Sequence, residues 1–315
     1  MAISDHMEEF HGLPVFEFPD AATTVELPAP GAVAWRIGIE PWDSKETWAA
    51  AFARFLDAVD STAVRALVVG VWGEGDDDSE PVVAALVEAK DRLPALRALF
   101  VGDITFDENE CSWIHQSDVT PLLETFPKLR EFGFRGGENM RLRPFEHTAL
   151  RSLSVQTGGL DVEIVRAVAA SDLPALERLD LWLGTSEYGA TAEVSDLEPI
   201  LSGTQFPALT SLALRNSEIQ DQIAIAIASA PVVARLSTLD LSMGTLGDEG
   251  AAALLEGQPL THLKTLDLHH HFISSALSKR LAAALEPSGV EVILSDEEEA
   301  EIDDDREWRY VAVGE

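Results

Sequence analysis

The segment Leu236–His271 reads LSTLDLSMGTLGDEGAAALLEGQPLTHLKTLDLHHH and contains one complete structural unit and the start of the next. One pattern occurs in it twice, with three apolar residues separated by three and then by two positions. The two copies are Leu236, Leu239, Leu241 and Leu263, Leu266, Leu268. This spacing predicts a corner that leads into a short strand with alternate residues buried. The intervening LGDEGAAALLEGQPL predicts a helix with Asp248 as its N-cap and Gly257 at its end.

The same strand pattern recurs along most of the chain. Its markers, the residues that open each buried pair, are Leu67, Leu99, Phe132, Leu153, Leu179, Leu212, Leu239 and Leu266. Successive markers are 32, 33, 21, 26, 33, 27 and 27 residues apart. The segments that follow them predict helices in EPVVAALVEAKDRL, DVTPLLETF, DVEIVRAVAAS, VSDLEPILSG, IQDQIAIAIASA, LGDEGAAALLEG and SALSKRLAAALE. A strand, a turn and a helix repeated at this period predict an α/β fold, a leucine-rich-repeat solenoid with a concave parallel sheet and convex helices.

The unit L-x-x-L-x-L followed by LGDEGAAALLE resembles the leucine-rich repeats of the ribonuclease-inhibitor-like class, over roughly Val33 to Ser295. The resemblance implies a right-handed solenoid that is curved into a horseshoe. The sequence departs from that class because the Asn or Cys usual after the strand is mostly missing and occurs only as Asn216, in LALRNSEI. Its amide normally satisfies backbone groups of the turn, so the other turns must be held in another way.

The whole chain is also similar to a bacterial family of leucine-rich-repeat proteins with no assigned function. The similarity rests on SWIHQSDVTPLLE, DLWLGTSEYG, LRNSEIQD, LDLSMGTLGDEGAAALL, LDLHHH and RYVAVGE. It implies neighbouring gene products that resemble radical-SAM and ATP-grasp enzymes, and a bacterial cytoplasmic setting. It implies no catalytic residues.

Three segments are predicted from the repeats and the charges. Residues 1–32 hold two Pro-flanked apolar pieces, LPVFEF and VELPAP, and are predicted to cap the first repeat. The solenoid follows over residues 33–295, and Ser44 is expected to cap its first helix. Residues 296–315 comprise an acidic linker, with eight acidic residues among 296–305, and the apolar tail WRYVAVGE. Docking of this tail on the last repeat, as its cap, is favoured over a free peptide.

The composition limits the partners and the compartment. The 55 acidic and 22 basic residues give a net charge of −33, which disfavours nucleic acid and anionic membrane surfaces because they repel such a protein. Cys111 is the sole cysteine, so no intramolecular disulfide forms, and the N-terminus lacks a basic region followed by an apolar one. These features predict a cytoplasmic protein that binds neither nucleic acid nor membranes.

The residues between the buried leucines are expected to face the hollow of the solenoid, because side chains alternate along a strand. The first row is Val68, Phe100, Gly133, Ser154, Asp180, Ala213, Asp240 and Asp267. The second row is Gly70, Gly102, Arg135, Gln156, Trp182, Arg215, Ser242 and His269. Since neighbouring strands lie about 4.8 Å apart, the polar members of the C-terminal half are predicted to lie close together.

Aromatic, amide and imidazole side chains are also predicted in the loops that follow the strands. They include Trp72, Trp113, Tyr188, Asn216 and His269. Such side chains at the strand ends of an α/β fold are typical of recognition sites. Packing of Trp72, Trp113 and Tyr188 onto their own loops is an equally weighted interpretation.

The run His269–His271 raises the alternative of a metal site. Alternate residues of a strand share a face, so His269 and His271 would point the same way as Asp267. Nothing else at metal-ligand spacing accompanies them, and histidines that face solvent or pack a loop are the favoured interpretation. No cofactor and no catalytic residue is predicted. Cys111, in the acidic run DENECSWIH, is expected to be a weak nucleophile.

Two functions are consistent with these patterns. The favoured one is a non-enzymatic interaction scaffold that binds a protein or peptide through the concave face and strand-end loops of its C-terminal half. Its predicted binding residues are Trp72, Trp113, Arg135, Asp180, Trp182, Tyr188, Arg215, Asn216, Asp240, Asp267 and His269. The alternative is an accessory or catalytic component of a small-molecule or peptide-modifying pathway, with a metal or substrate at Asp267, His269 and His271. The radical-SAM and ATP-grasp enzymes of the resemblance would be the partners.

Overall fold

The structure of the chain is a computed structural model that describes residues 3–42, 44–303 and 306–314. Within these residues, twelve strands form one sheet in which every strand lies beside its neighbours in the sequence. The first two strands are antiparallel and all later neighbours are parallel. The strands are β1 (Glu9–Phe10), β2 (Leu13–Glu17), β3 (Ala34–Ile37), β4 (Ala66–Val69), β5 (Ala98–Val101), β6 (Glu131–Arg135), β7 (Ser152–Gln156), β8 (Arg178–Gly184), β9 (Ser211–Ser217), β10 (Thr238–Asp240), β11 (Thr265–Asp267) and β12 (Glu291–Ile293).

The predicted markers stand side by side across this sheet. The pairing register aligns Leu67, Leu99, Phe132, Leu153, Leu179, Leu212, Leu239 and Leu266 in one line. The line continues to Trp35 at one end and to Val292 at the other. The sequence repeats are therefore structural repeats, and the predicted α/β solenoid of the leucine-rich-repeat type is confirmed.

A helix lies in each connection from β3 to β12 except the one between β6 and β7, and each of the seven predicted helical segments contains one. In the described part of the chain they are α1 (Trp48–Ala58), α2 (Glu80–Glu88), α3 (Thr120–Thr125), α4 (Val162–Ala169), α5 (Glu198–Leu201), α6 (Gln220–Ile227), α7 (Asp248–Glu256) and α8 (Ser275–Leu285). Their apolar side chains, such as Leu86, Ile223 and Leu254, pack with the markers in one core. We call the opposite side of the sheet, which carries the two predicted rows, the row face. None of the described helices is both long and apolar enough to cross a membrane.

Two predicted helix caps are wrong, because the cap comes from elsewhere. Thr47, not Ser44, is the N-cap of α1, and its side chain accepts the amide of Ala50. Helix α7 begins at Asp248 itself, after Gly247. The cap crosses the repeat boundary, since Oδ1 of Asp221 accepts the amide of Gly250, in the first turn, at 2.9 Å and that of Gly247 at 2.8 Å. Asp248 accepts the amide of Ser274, the residue before α8, as Asp221 accepts that of Gly247.

The N-terminal segment contributes to the sheet as well as covering it. Strand β2, from the predicted cap 1–32, pairs in parallel with β3 and extends the sheet by one strand. Phe10 of β1 packs on the row face against Val68 and Phe100. The rings of Phe10 and Phe100 meet edge to face at 6.2 Å. The row face of the N-terminal half is thus closed by the start of the chain; residues 1–2 lie outside the described part.

A left-handed residue occurs at the end of each of the strands β9 to β12 or shortly after it. Asn216, Met243, His270 and Asp296 occupy equivalent positions four residues beyond the marker line, and their φ angles are 54°, 65°, 53° and 59°. Non-glycine residues adopt this conformation rarely. The turns are linked through the backbone, because the amide of Met243 donates to the carbonyl of His269 at 2.8 Å. Side chains therefore stop alternating between the two faces at this point of each repeat.

The C-terminal residues leave the sheet after β12. Strands β13 (Glu301–Asp303) and β14 (Arg306–Trp308) form a separate antiparallel pair within the predicted acidic linker. Ile302 of this pair is 79% exposed. Residues 304–305 of the acidic run and residue 315 of the tail lie outside the described part. The pair projects from the solenoid as a solvated arm that leads to residues 309–314.

The cross-repeat caps predict the effect of a single substitution. Asp248 lies in the first turn of α7, and its Oδ1 accepts the amide of Ser274, before α8, at 2.7 Å. We expect Asp248→Ala to lower the free energy of unfolding by about 1 kcal/mol, as the loss of a hydrogen bond to a backbone amide does. Glu249→Ala is the control, because Glu249 lies in the same first turn and shares the helix-dipole term. Urea unfolding that gives equal losses for both variants would contradict the cap.

Candidate functional site

A polar strip crosses the row face in the C-terminal half. The register places Asp180 opposite Ala213, Ala213 opposite Asp240 and Asp240 opposite Asp267, in the order of the first predicted row. In the second row, Trp182 stands opposite Arg215. We call Asp180, Arg215, Asp240, Asp267 and His269 the polar strip. Adjacent strands thus bring together the residues that the sequence predicts to be neighbours.

Arg215 lies at the centre of the polar strip. Its Nε and Nη2 donate to the two carboxylate oxygens of Asp180 at 2.9 and 2.7 Å, and its Nη1 lies 3.5 Å from Oδ2 of Asp240. The guanidinium lies over the ring of Trp182, 5.2 Å from its centroid. Burial alone would lower the pKa of Arg215, but the attraction of Asp180 and Asp240 raises it above its ordinary value. Burial raises the pKa of Asp240. Arg215 therefore holds two carboxylates in fixed positions.

Asp267 and His269 form the second pair of the polar strip. Nδ1 of His269 lies 2.8 Å from Oδ1 of Asp267, and the side chains of Asp267 and His269 are 20% and 27% exposed. The hydrogen bond that His269 donates to Asp267 raises the pKa of His269. Burial would raise the pKa of Asp267, but the hydrogen bonds from His269 lower it below its ordinary value. The pair is an ion pair when His269 is protonated, and water reaches both groups.

His271 does not join this pair. The expected common face of His269 and His271 requires the strand to continue, but β11 ends at Asp267 and His270 turns into the left-handed region. The His271 side chain is buried, and its Nδ1 accepts the amide of Ile273 at 3.1 Å. Burial lowers the pKa of His271. In the part of the chain that the structure describes, no three His, Cys, Asp or Glu side chains are placed to hold a metal ion.

The C-terminal residues dock on the loops after the strands. Arg309–Gly314 is the docked part of the predicted tail WRYVAVGE, and the name tail is kept for these six residues. The amide of Ala312 donates to the carbonyl of Met243 at 2.7 Å. The side chain of Asn216 accepts the amide of Val313 at 2.9 Å and donates to its carbonyl at 2.6 Å. The one asparagine that matches the repeat pattern thus binds another part of the chain with both ends of its amide.

The sequence predicts that the tail docks on the last repeat. In the structure it reaches much farther along the solenoid. At its start the Tyr310 carbonyl lies 3.0 Å from Nε2 of His270. At its end the hydroxyl of Ser112, in the loop after β5, donates to the Gly314 carbonyl. The aromatic side chains of Trp308 and Tyr310 remain about half exposed. Burial of these two aromatic rings is therefore not what holds the tail.

Small apolar side chains anchor the tail instead. Ala312 and Val313 are buried in a cluster with Cys111, Trp182 and Met243. Cys111 is 4% exposed. Burial raises the pKa of its thiol to about 11, so burial, not its acidic neighbours as expected, makes it a weak nucleophile. Trp182, predicted as a binding residue, meets the chain's own C-terminus.

The aromatic loop residues divide between packing and exposure. Trp72 packs its loop down, as the alternative interpretation holds, because its Nε1 donates to the carbonyl of Asp77 at 3.0 Å and its ring joins the core. The ring of Tyr188 lies against Gly314 of the tail. Trp113 is 58% exposed and lies next to Ser112 in the chain. Of the three, Trp113 is mostly exposed, Tyr188 is partly exposed and Trp72 is buried.

Arg135 belongs to a separate buried ionic cluster that sequence reasoning missed. Its Nη1 lies 3.9 Å from Oδ1 of Asp103, and Nε of Arg36 donates to Oδ2 of the same aspartate at 2.9 Å. All three side chains are almost fully buried. The sequence feature that indicates this cluster is Arg36, a charged residue between Trp35 and Ile37 in an otherwise apolar strand. The cluster joins the N-terminal segment to the sheet, since Asp103 accepts the amide of Met7. Hydrogen bonds through Gln156 and Ser154 connect Arg135 to Asp180 of the polar strip.

The pair of His269 and Asp267 predicts a pH dependence of stability. The folded pKa of His269 is raised above its unfolded value of about 6.5. Its stabilisation is therefore fully present below about pH 6.5 and is lost as the pH rises through the folded pKa. We expect His269→Gln to lower the free energy of unfolding by less than about 1 kcal/mol at pH 5.5, and by less again at pH 9. Urea unfolding at both pH values measures this. Asp267→Asn should abolish the difference, and a loss that grows with pH would refute the assignment.

Comparisons with known proteins agree with the fold and the repeats. A family model described as "Leucine Rich repeat" matches residues 236–255. A protein from Bacteroides fragilis of known crystal structure is similar with a TM-score of 0.75 and 30% identity, over 79% of this chain and 70% of that chain. None of the curated protein sequences matches the chain. The aligned markers, the parallel sheet and these likenesses together show that the chain belongs to the leucine-rich-repeat proteins.

Proposed function

We propose that this protein is a non-enzymatic scaffold that binds a partner protein or peptide through the polar strip and the strand-end loops of its C-terminal half. The observation that carries the proposal is the polar strip itself. Its side chains stand on adjacent strands in fixed positions, and Asp240, Asp267 and His269 remain 16%, 20% and 27% exposed. Repeat proteins commonly bind partners on such an extended, rigid surface.

The row face is proposed to be the concave side of a horseshoe. Neighbouring strands lie about 4.8 Å apart, whereas packed helices need about 8–10 Å between their axes. Helices on one side of the sheet therefore favour bending toward the other side. This bend would direct the polar strip into the hollow, where a partner contacts several strands at once.

The charge of the polar strip supports a cationic partner segment. Three carboxylates, those of Asp180, Asp240 and Asp267, stand against the single guanidinium of Arg215. The chain as a whole carries a net charge of −33, which would steer a basic partner toward it. Enzymes similar to radical-SAM and ATP-grasp proteins, implied by the family resemblance, are the first partners to test. The accessory or catalytic role in their pathway rests on that resemblance alone and stays a prediction.

A charge reversal on the polar strip tests the proposal. Asp267→Lys places a cation where the partner's cations would bind, so we expect crosslinked partners from native lysate to fall at least about tenfold. Binding to each candidate enzyme, purified separately, is measured in the same way. Each variant is first shown to unfold cooperatively.

The matched control is Glu256→Lys, at the exposed end of α7 on the helical side. It changes the net charge by the same amount, so it separates local contact from overall steering. Full retention of partners by Asp267→Lys, or an equal loss in both variants, would refute binding at the polar strip.

A further inference from the structure

We propose that the carboxyl ends of strands β8 and β9 and the loops after β5, β7, β10 and β11 form a groove for an extended peptide, and that the tail occupies it in place of a partner segment of the same chemistry. We call this groove, lined by Ser112, Gly158, Trp182, Asn216, Met243 and His270, the rim groove. The proposal rests on the scaffold function proposed above. It adds an extended segment of the partner to the cationic segment that binds the polar strip. The inferred ligand is an extended segment with a basic residue, then two variable residues, then a small residue, valine and glycine.

Recognition of the tail runs mainly through its backbone. The rim groove contacts the amides of Ala312 and Val313 and the carbonyl of Val313, as described above. The carbonyls of Tyr310 and Gly314 are bound by His270 and Ser112. Backbone recognition of this kind accepts any chain that is extended in the same way. It is therefore transferable from the tail to another peptide.

Side-chain selection occurs at few positions of the tail. Nη1 of Arg309 lies 3.1 Å from Oδ2 of Asp221, which sets the basic position. Ala312 and Val313 are buried, which sets the small residue and the valine. A Cβ atom on Gly158 would collide with the Gly314 carbonyl, so the chain end approaches the loop backbone closely. The side chains of Tyr310 and Val311 reach the surface, and their identity is free.

The tail leaves part of the rim groove unsatisfied. Nε1 of Trp182 is buried and has no hydrogen-bond partner among the described residues. An indole N–H in this position needs an acceptor, and none of the described tail atoms supplies one. A ligand that places a carbonyl or carboxylate oxygen at this atom would bind with a bond that the tail does not make.

The connection between the tail and the solenoid also allows the tail to be released. Its connection to the solenoid is the exposed pair β13 and β14, in a run where eight of ten residues, 296–305, are acidic. Repulsion between these carboxylates and the acidic solenoid disfavours packing of the pair onto it. Exchange between two copies of the chain is opposed by the net charge of −33 on each. A basic partner segment is favoured by the same charge.

The sole cysteine supplies the test in the full-length chain. Cys111 is covered by Ala312 and Val313, so its reaction with a neutral thiol reagent reports release of the tail. We expect Val313→Asp to speed the reaction at least about tenfold. The synthetic peptide WRYVAVGE should then restore protection in a saturable manner, and WRYVADGE should not. Ile302→Asp, on the exposed arm, is the control and should react like the unsubstituted protein.

Two further variants keep the result interpretable. Ala312→Asp places a charge at the other buried position of the tail, so it should release the tail if Val313→Asp fails to fold. Gly158→Ala narrows the rim groove itself, so Cys111 should react quickly and the peptide should give no protection.

Three results would overturn the proposal. Unchanged labelling in the folded tail variants would show that the tail does not cover Cys111. Fast labelling without rescue by the peptide would show that the tail is only a structural strap. Dimers of the unsubstituted protein by size exclusion would show exchange between copies. The polar-strip variant Asp267→Lys leaves this peptide assay unchanged, so failure of the scaffold role and failure of the groove are distinguished.

Discussion

The alignment of one apolar marker in each repeat is the constraint on which the rest of the structure depends. Leu179, Leu212 and Leu239 lie directly opposite one another, and truncating such a buried leucine to alanine costs about 2–5 kcal/mol. Because side chains alternate along a strand, the direction of each marker fixes the direction of its neighbour. A register slip of one residue would place Asp180 and Asp240 in the apolar core. The polar strip is therefore a consequence of the leucines.

The left-handed residues Asn216, Met243, His270 and Asp296 mark the point in each repeat at which side chains stop alternating between the two faces of the sheet. Such a conformation costs on the order of 1 kcal/mol or more for a non-glycine residue. It persists because each turn hydrogen-bonds the next, as the amide of Asn216 does with the carbonyl of Ser242 at 2.9 Å. The same turn directs His271 inward while His269 stays on the row face. It also directs the Asn216 amide and the Met243 carbonyl toward the tail, so one backbone feature accounts for both sites.

The features that the sequence predicts correctly are those encoded by local periodicity. The markers, the seven helical segments and the first row follow from spacing within a repeat and from equivalence between repeats. The features that it misses depend on contacts between distant residues. Asn216 and Val313 are separated by 97 positions, and Arg36 and Asp103 by 67. The predicted N-cap of α7 is wrong for the same reason, since Asp221, from the preceding repeat, accepts an amide of the first turn of α7. Sequence spacing holds no information about such pairings, whereas it fixes Asp240 and Asp267 opposite each other.

The two ends of the chain narrow the surface on which a partner can bind. Phe10 closes the row face over β4 and β5, and the tail closes the strand ends from β11 back to the loop after β5. The polar strip lies between these closures, so the accessible binding surface is a band and not the whole face. A protein with 22 basic and 55 acidic residues has few cations with which to hold the tail through ion pairs. Backbone hydrogen bonds and two small apolar side chains hold it without requiring any, and only Arg309 adds an ion pair. The tail is therefore held mainly by backbone hydrogen bonds and apolar packing, with little contribution from ion pairs. The carboxylates of the polar strip are not used to hold the tail, so they remain available to attract a basic partner.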